Sequence, residues 1–522
     1  MKFNLPYFIL LPSSFFLLFA GFAGEQVDPA SRKAFYFETV APDPLVQSNS
    51  FIREEVTAAV LPREGEIAAK APRVTWEGHP DVERAFAYAW DSVARKIRAP
   101  EPGTNFKRNF VYTPFGKSVF IWGSCFITMF GQYASSAFPF IEQLDNFYAA
   151  QRADGFIPRQ LGIFDGRSQF APEDLSSVGG NIFAWAEWEW FRYSGNESRL
   201  KRVYPVLLAY HNWLRRNRTW KDGTYFSSGW GCGMDNIPRV DTSKYSRQFH
   251  HGFISWVDVT MQQILDAQLL IKIALVTGQE IDPELVVETH ELTEIANERM
   301  WSEEDGLYHD LDRDGKRVPC KHIGGFWSLL AGIAKTPGRR ARLVKNLEDA
   351  ETFAAPCGTR SLAKGEKDYD PDGGCYWRGG VWCITDWAIV RGLADFPDTA
   401  EAAHRLAKRQ VEAVAKVYAD TGTIWESYDP EKITHGKLYG SPVRKDFVGF
   451  SGVTPIAMLI RDVFGMDFIA GKIVWHRRLK ERHGVENLTL PDGNVISLIY
   501  DPATGKPLFK STKPIEFEYK ED

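Results

Sequence analysis

The chain has 522 residues, 44% hydrophobic and 25% charged, with a formal net charge of −5. That is an ordinary composition for a folded protein, without the basic footprint of a nucleic-acid binder or a polybasic membrane signal. Six cysteines (Cys125, Cys232, Cys320, Cys357, Cys375, Cys383) show no C-x-x-C spacing, which argues against a zinc site, and no motif calls for a cofactor.

Lys2 precedes an apolar run from Leu5 to Phe22, and Gly21 and Ala23 supply small residues. This is the layout of a secretory signal peptide over residues 1–23. Pro6 and Pro12 count against a stable membrane-spanning helix, an uncleaved anchor being the alternative, and no later apolar run reads as long enough to span a bilayer. The expectation is an exported protein, periplasmic or extracellular, free of the membrane once the signal is cleaved. Export would permit disulfides, with Cys375–Cys383 and Cys357–Cys375 the nearest pairs; buried free thiols are the alternative.

Residues 24–75 hold several prolines and little periodicity and read as an extended arm. From Asp81 onward, apolar residues at spacings of three and four predict helices over 81–97, 140–152, 180–194, 199–217, 256–277, 283–300, 323–335, 339–350, 381–394, 399–419 and 452–464. In "NIFAWAEWEWFRYSG", Trp185, Trp188 and Trp190 spread around the helix, which places them in a core rather than on a ligand platform. The loops between helices, 108–125, 153–179, 220–255, 301–322, 353–380 and 420–451, are long and carry most of the Gly, Trp and acidic residues, as functional loops do. Helices joined by such loops over 76–466 fit a toroid of paired helices. After Asp467, "NLTLPDG", "NVISLIYD" and "IEFEYK" predict a small β-appendage over 467–522.

Two loops hold the candidate chemistry. "SSGWGCGMDNIPR" sets one carboxylate, Asp235, among glycines, and Pro238 rules out a helix running through it. "TGTIWESYDPEK" places Glu426 between Trp425 and Tyr428, where aromatic bulk disfavours the charged carboxylate. Between them, "GGCYWRGGVWCITDWAIVRGL" offers Arg378 in a Gly- and Trp-rich stretch suited to hold a carboxylate or a sugar hydroxyl. Two carboxylates on separate loops of a helical scaffold, with Trp nearby, point to glycoside hydrolysis: one acid protonates the leaving oxygen, and the other activates water or attacks the sugar.

"GWGCGMDNIPR" resembles the G-x-D-N-S-P-R segment of the trehalase and glucosidase I group, whose bacterial relatives include mannosylglycerate hydrolases. "YWRGGVW" is similar to that group's Y-W-R-G-P-V-W, and "IWESYDP" to its W-E-x-Y-D-P, in the same order. "WSEEDGLYHDLD" and "GFSG" match as well, so the likeness covers roughly residues 105–465. It implies a mainly α fold, an (α/α)6 toroid (barrel) with the N-terminal arm and the C-terminal β-appendage, and inverting hydrolysis of an α-linked sugar in an oligosaccharide or glycoside. Under it Asp235 is the general acid and Glu426 the general base. Trp122, Trp230, Asn236, Arg239, Trp377, Arg378, Trp382 and Trp425 line the sugar site, with Asn236 touching substrate or orienting Asp235.

The sequence departs from that group at Gly123 in "IWGSCF", where the family's early Asp holds hydroxyls of the terminal sugar, and at Ile237 and Gly380. Two other readings stay open. A polysaccharide lyase would use a Tyr or His base, with His250 and His251 of "RQFHHGF" as candidates, and an inactive relative would bind sugar without cleaving it.

Overall fold

Alanine, leucine and valine recur down one face of residues 400–421, and that face is where the longest helix among the described residues is buried, through Ala403, Leu406, Ala407, Val411, Val414 and Val417. Gly422 ends it at φ 71°, a conformation that glycine adopts at little cost. The computed structural model describes residues 41–57, 61–63, 65–113 and 115–521, so the signal-peptide expectation and the first part of the arm lie outside the described residues.

The main helices in chain order are α1 (Pro80–Ala94), α2 (Ile121–Gly131), α3 (Phe183–Ser194), α4 (Glu197–Asn217), α5 (Val257–Thr277), α6 (Pro283–Ile295), α7 (Pro337–Glu348), α8 (Cys383–Ala394) and α9 (Ala400–Thr421). Their starts follow local chemistry. The side chains of Asn196, Asp282 and Thr336 accept backbone N–H groups at the first turns of α4, α6 and α7, and Pro283 and Pro337 sit where a missing N–H costs nothing. α2 packs on α3, α3 on α4 and α5, α5 on α4 and α6, α8 on α9, and α9 back on α1.

Several sequence expectations change, among them the helix 323–335, which is a 3-10 turn over Ile323–Phe326 and a single α-turn over Trp327–Leu330. The helix α2 lies where a loop over 108–125 is expected, because all its residues are buried and it has no polar face to mark a period. The expected helix 140–152 is instead a 3-10 turn, Phe140–Leu144, followed by one short helix, Asp145–Ala149. And α5 is apolar and long enough to cross a membrane, contrary to the reading that no later run is; it is a core helix, most of it buried among its neighbours. The segment 452–464 forms a π-helix, Thr454–Val463. Trp185 is fully buried, while Trp188 and Trp190 are half-buried against the core.

Strands β1 (Arg73–Trp76), β2 (Met466–Ile469), β3 (Lys472–Arg477), β4 (His483–Thr489), β5 (Val495–Asp501), β6 (Lys506–Ser511) and β7 (Glu516–Glu521) make two small sheets. One runs β1-β4-β5-β6 and the other β2-β3-β7, with β7 parallel to β3. The end of the expected arm is thus an edge strand of the C-terminal sheet, Trp76 pairing with His483. A buried ionic seam joins helices to sheet: Asp467 accepts Arg192 at 2.6 Å and lies 3.4 Å from Arg461. All six cysteines are buried and free.

Candidate active site

The loop bearing Asp235 starts as a single helical turn, Gly229–Cys232, capped by Ser228, whose hydroxyl accepts the Gly231 N–H at 3.1 Å. Its glycines make room for protein rather than for ligand. A Cβ on Gly229 would fall 2.4 Å from the Asp235 carbonyl oxygen, and one on Gly233 (φ 81°) would press on the Trp122 indole at 3.0 Å. The loop is therefore folded onto itself and onto Trp122. Arg239 fastens its far end. That side chain is buried, its Nε and Nη2 donating to Asp310 at 2.9 and 2.5 Å and its Nη2 also to Asp258 at 2.6 Å, with Trp256 4.1 Å beneath.

Asp235 is left half-buried, and the hydrogen bond that favours its charged form comes from its own backbone. Burial pushes that carboxyl up from 3.8 to about 7; the Arg159 guanidinium opposes the rise, the Glu426 charge adds to it, and Arg444 opposes it. Arg159 is itself buried, stacked between Phe120, Phe170 and Trp230, and donates to the Trp230 carbonyl at 2.8 Å. Burial depresses its pKa to about 10, so it remains a cation at neutral pH.

Glu426 is fully buried but well served. Arg444 Nη1 donates to both carboxylate oxygens at 3.0 Å, the Arg444 backbone N–H to Oε2 at 3.3 Å, and the Tyr376 hydroxyl to Oε1 at 2.7 Å. Burial raises the Glu426 pKa, while Arg444 and Tyr376 favour the charged form. The two acids thus meet in unlike surroundings: one is desolvated and short of donors, the other sits in a cage of donors. Environments of that kind separate an acid from a base. Among the described residues, no group of three or more His, Cys, Asp or Glu is arranged to hold a metal ion.

Residues 120–442 match the family model described as a mannosylglycerate hydrolase MGH1-like glycoside hydrolase domain. The chain belongs to this family. It is 25% identical over 381 residues to an uncharacterized protein of Borreliella burgdorferi, spanning 70% of this chain and 76% of that one. It is 24% identical over 285 residues to a mannosylglycerate hydrolase of Thermus thermophilus, spanning 45% of this chain and 66% of that one. Among solved structures, a GH63 mannosylglycerate hydrolase from Thermus thermophilus in complex with Tris and D-glycerate shares the fold, with a TM-score of 0.57 at 19% identity over 71% of this chain and 99% of that one.

Within this glycoside hydrolase, the other residues singled out in the sequence fall into distinct places. Trp122 lies under the acid loop and Trp230 over Arg159, edge-on to Phe249 at 4.8 Å. Trp377 and Trp382 are buried and stacked face to face at 4.0 Å, behind Tyr376. Arg378 is half-buried and donates to the Asp368 carbonyl at 2.7 Å. Three expectations need correcting. Arg239 is spent on Asp258 and Asp310, so it anchors the loop instead of meeting sugar. The Asn236 amide is engaged with the backbone of Cys375 and Trp377, which removes the expected substrate contact and not the alternative of orienting the acid. Trp425 is engaged away from Glu426: its indole N–H donates to Thr421 at 3.0 Å and its ring lies on His435.

The two histidines of the lyase reading are built into their own loop. His250 stacks on Tyr245 and accepts the Gly252 N–H, while His251 accepts the Phe253 N–H and is pushed down to about 3 by burial. At Gly123 a Cβ would stand 3.4 Å from the Thr113 methyl, an ordinary contact. Sequence reading misses Arg159, Arg444 and Tyr376. Tyr376 lies inside "YWRGGVW", where its place next to Trp377 hides it among core residues.

Proposed function

We propose that the protein is an exported inverting hydrolase of a small α-linked glycoside or oligosaccharide, built on an (α/α)6 barrel over residues 76–466 with the signal peptide, arm and β-appendage outside it. Asp235, which burial keeps about half protonated at neutral pH, gives its proton to the glycosidic oxygen as the bond to the anomeric carbon breaks. Glu426, whose charged form Arg444 and Tyr376 favour, takes a proton from the water that attacks the opposite face of that carbon. The turnover leaves Asp235 ionised and Glu426 protonated, and exchange with solvent restores both. Mannosylglycerate is the first substrate to try, given the family, and α-glucosides the second.

The observation that carries this reading is the inequality of the two carboxyls: a donor-poor acid raised to about 7 faces a donor-rich one held by a guanidinium and a phenol. The packing of α9 back on α1 supports a closed ring of helices. The test is incubation with a panel of α-linked disaccharides, mannosylglycerate and glycan fragments, with detection of released sugar. Release from at least one, abolished in Asp235→Asn and Glu426→Gln, is expected. Products that absorb in the ultraviolet, as unsaturated sugars do, would replace hydrolysis by elimination.

A further inference from the structure

We propose that Asn236 is a positioning residue, which ties the loop of the acid to the turn whose tyrosine holds the base. The proposal rests on the two-acid reading for its meaning, but the contacts stand without it.

Asn236 follows Asp235 directly and is buried. Its Nδ2 donates to the Cys375 carbonyl at 2.9 Å, and its Oδ1 accepts the Trp377 N–H at 2.9 Å. Those two backbone groups bracket one residue, Tyr376. The backbone there is strained: Tyr376 has φ 72° and ψ −104°, and Cys375 has φ 32°, both in territory that side chains rarely occupy. Such a turn persists only where neighbours over-determine it. The Tyr376 N–H donates to the Lys437 carbonyl at 2.9 Å, the Trp382 indole to the Tyr376 carbonyl at 3.3 Å, and the Asn236 amide closes the remaining sides. The outcome of holding that turn is the Tyr376 hydroxyl delivered to Glu426 Oε1 at 2.7 Å.

The choice of residue follows from the bonds. A carboxamide offers one donor and one acceptor side by side, matching a backbone carbonyl and N–H two residues apart. Aspartate lacks the donor, serine cannot span both groups, and an apolar side chain leaves both buried and unpaired. Asp235 and Glu426 come from loops far apart in sequence, and this side chain is a direct link from the acid's loop to the base's partner. Its task is to keep the acid and base in register so that neither loop moves without the other.

The test reads Glu426 itself. Protein labelled with δ-13C-glutamate is titrated by NMR, the Glu426 signal being assigned by its loss in Glu426→Gln. The groups facing that carboxyl are Arg444, Tyr376 and Asp235. Tyr376→Phe deletes a donor to the charged form, so the midpoint rises by about one pH unit. Asn236→Leu, of similar volume, and Asn236→Ala each reproduce most of that rise with Tyr376 still present, and Asn236→Ser, which can keep one bond, gives a smaller one. The double variant Asn236→Leu/Tyr376→Phe rises no further than Tyr376→Phe alone. A Glu426 midpoint unmoved in the Asn236 variants, while Tyr376→Phe shifts it, overturns the proposal; so do shifts that simply add in the double variant. The titration needs no turnover. Failure of the hydrolase reading would show separately, as wild-type protein with the shared shift intact that releases no sugar.

Discussion

Replacing Asp235 by asparagine keeps the side chain's shape and removes its ionisation, and the consequence for stability has a definite sign. In the folded chain burial lifts this carboxyl from 3.8 to about 7. The rise is about three units, each worth about 1.4 kcal/mol, so the full effect is up to about 4 kcal/mol. Below pH 4 the carboxyl is protonated in both folded and unfolded chains and contributes nothing to the difference between wild type and variant. Between pH 4 and 7 the unfolded chain releases the proton while the folded chain keeps it, so wild type loses stability as pH rises through that window, and the loss is complete above 7. The Asp235→Asn variant is spared this loss. Urea unfolding should find its advantage over wild type growing from pH 4 to pH 8.5, towards about 4 kcal/mol. An advantage of equal size at both pH values, or one that shrinks as pH rises, would refute the assignment of Asp235 as the proton-holding acid. In the same variant kcat/KM for an ordinary glycoside should fall by about 10²–10⁴, the usual worth of general acid catalysis, whereas a nitrophenyl glycoside, which departs without a proton, should lose much less.

Glu426→Gln should lower kcat by about 10²–10⁴ with folding preserved, and added azide or formate, which can take the place of the missing base or nucleophile, should restore part of the rate. Arg444→Met removes the cation that favours ionised Glu426, so the acid limb of the pH profile of kcat/KM should move to higher pH. Arg239→Met strands Asp258 and Asp310 as buried carboxylates and should cost about 3–5 kcal/mol of stability by urea unfolding, a far larger loss than removal of a sugar contact would bring.

The sequence foretells a helical protein because most helices here have one buried face, and α9 with its alanine stripe is the clearest case. It hides α2, since a helix buried on every side has no alternation to read. The two acids are legible because each sits in a short, distinctive loop. Their partners are not. Arg159 reaches the site from the loop 153–179 and Arg444 from the far end of the loop that carries Glu426, and nothing in their local sequence separates them from the many surface arginines. Asn236 is visible as a neighbour of the acid, but its role depends on the positive φ of Tyr376, which two tertiary hydrogen bonds stabilise and no propensity would forecast. Arg239 reads as a sugar ligand for the same reason: an arginine in a motif loop can face inward or outward, and Asp258 and Asp310, supplied by distant segments, decide it.

The most direct test of paired action by Asp235 and Glu426 is the anomeric configuration of the first product. An inverting pair admits a water between its carboxyls, attack occurs once, and an α-linked substrate yields the β-sugar first. Proton NMR in the opening minutes of the reaction, before mutarotation mixes the anomers, distinguishes the outcomes. The β anomer should appear first, with the α anomer growing only as mutarotation proceeds. First release of the α anomer would contradict the assignment, because two successive attacks would then have passed through a covalent intermediate and Glu426 could not be acting as the base towards water in a single displacement.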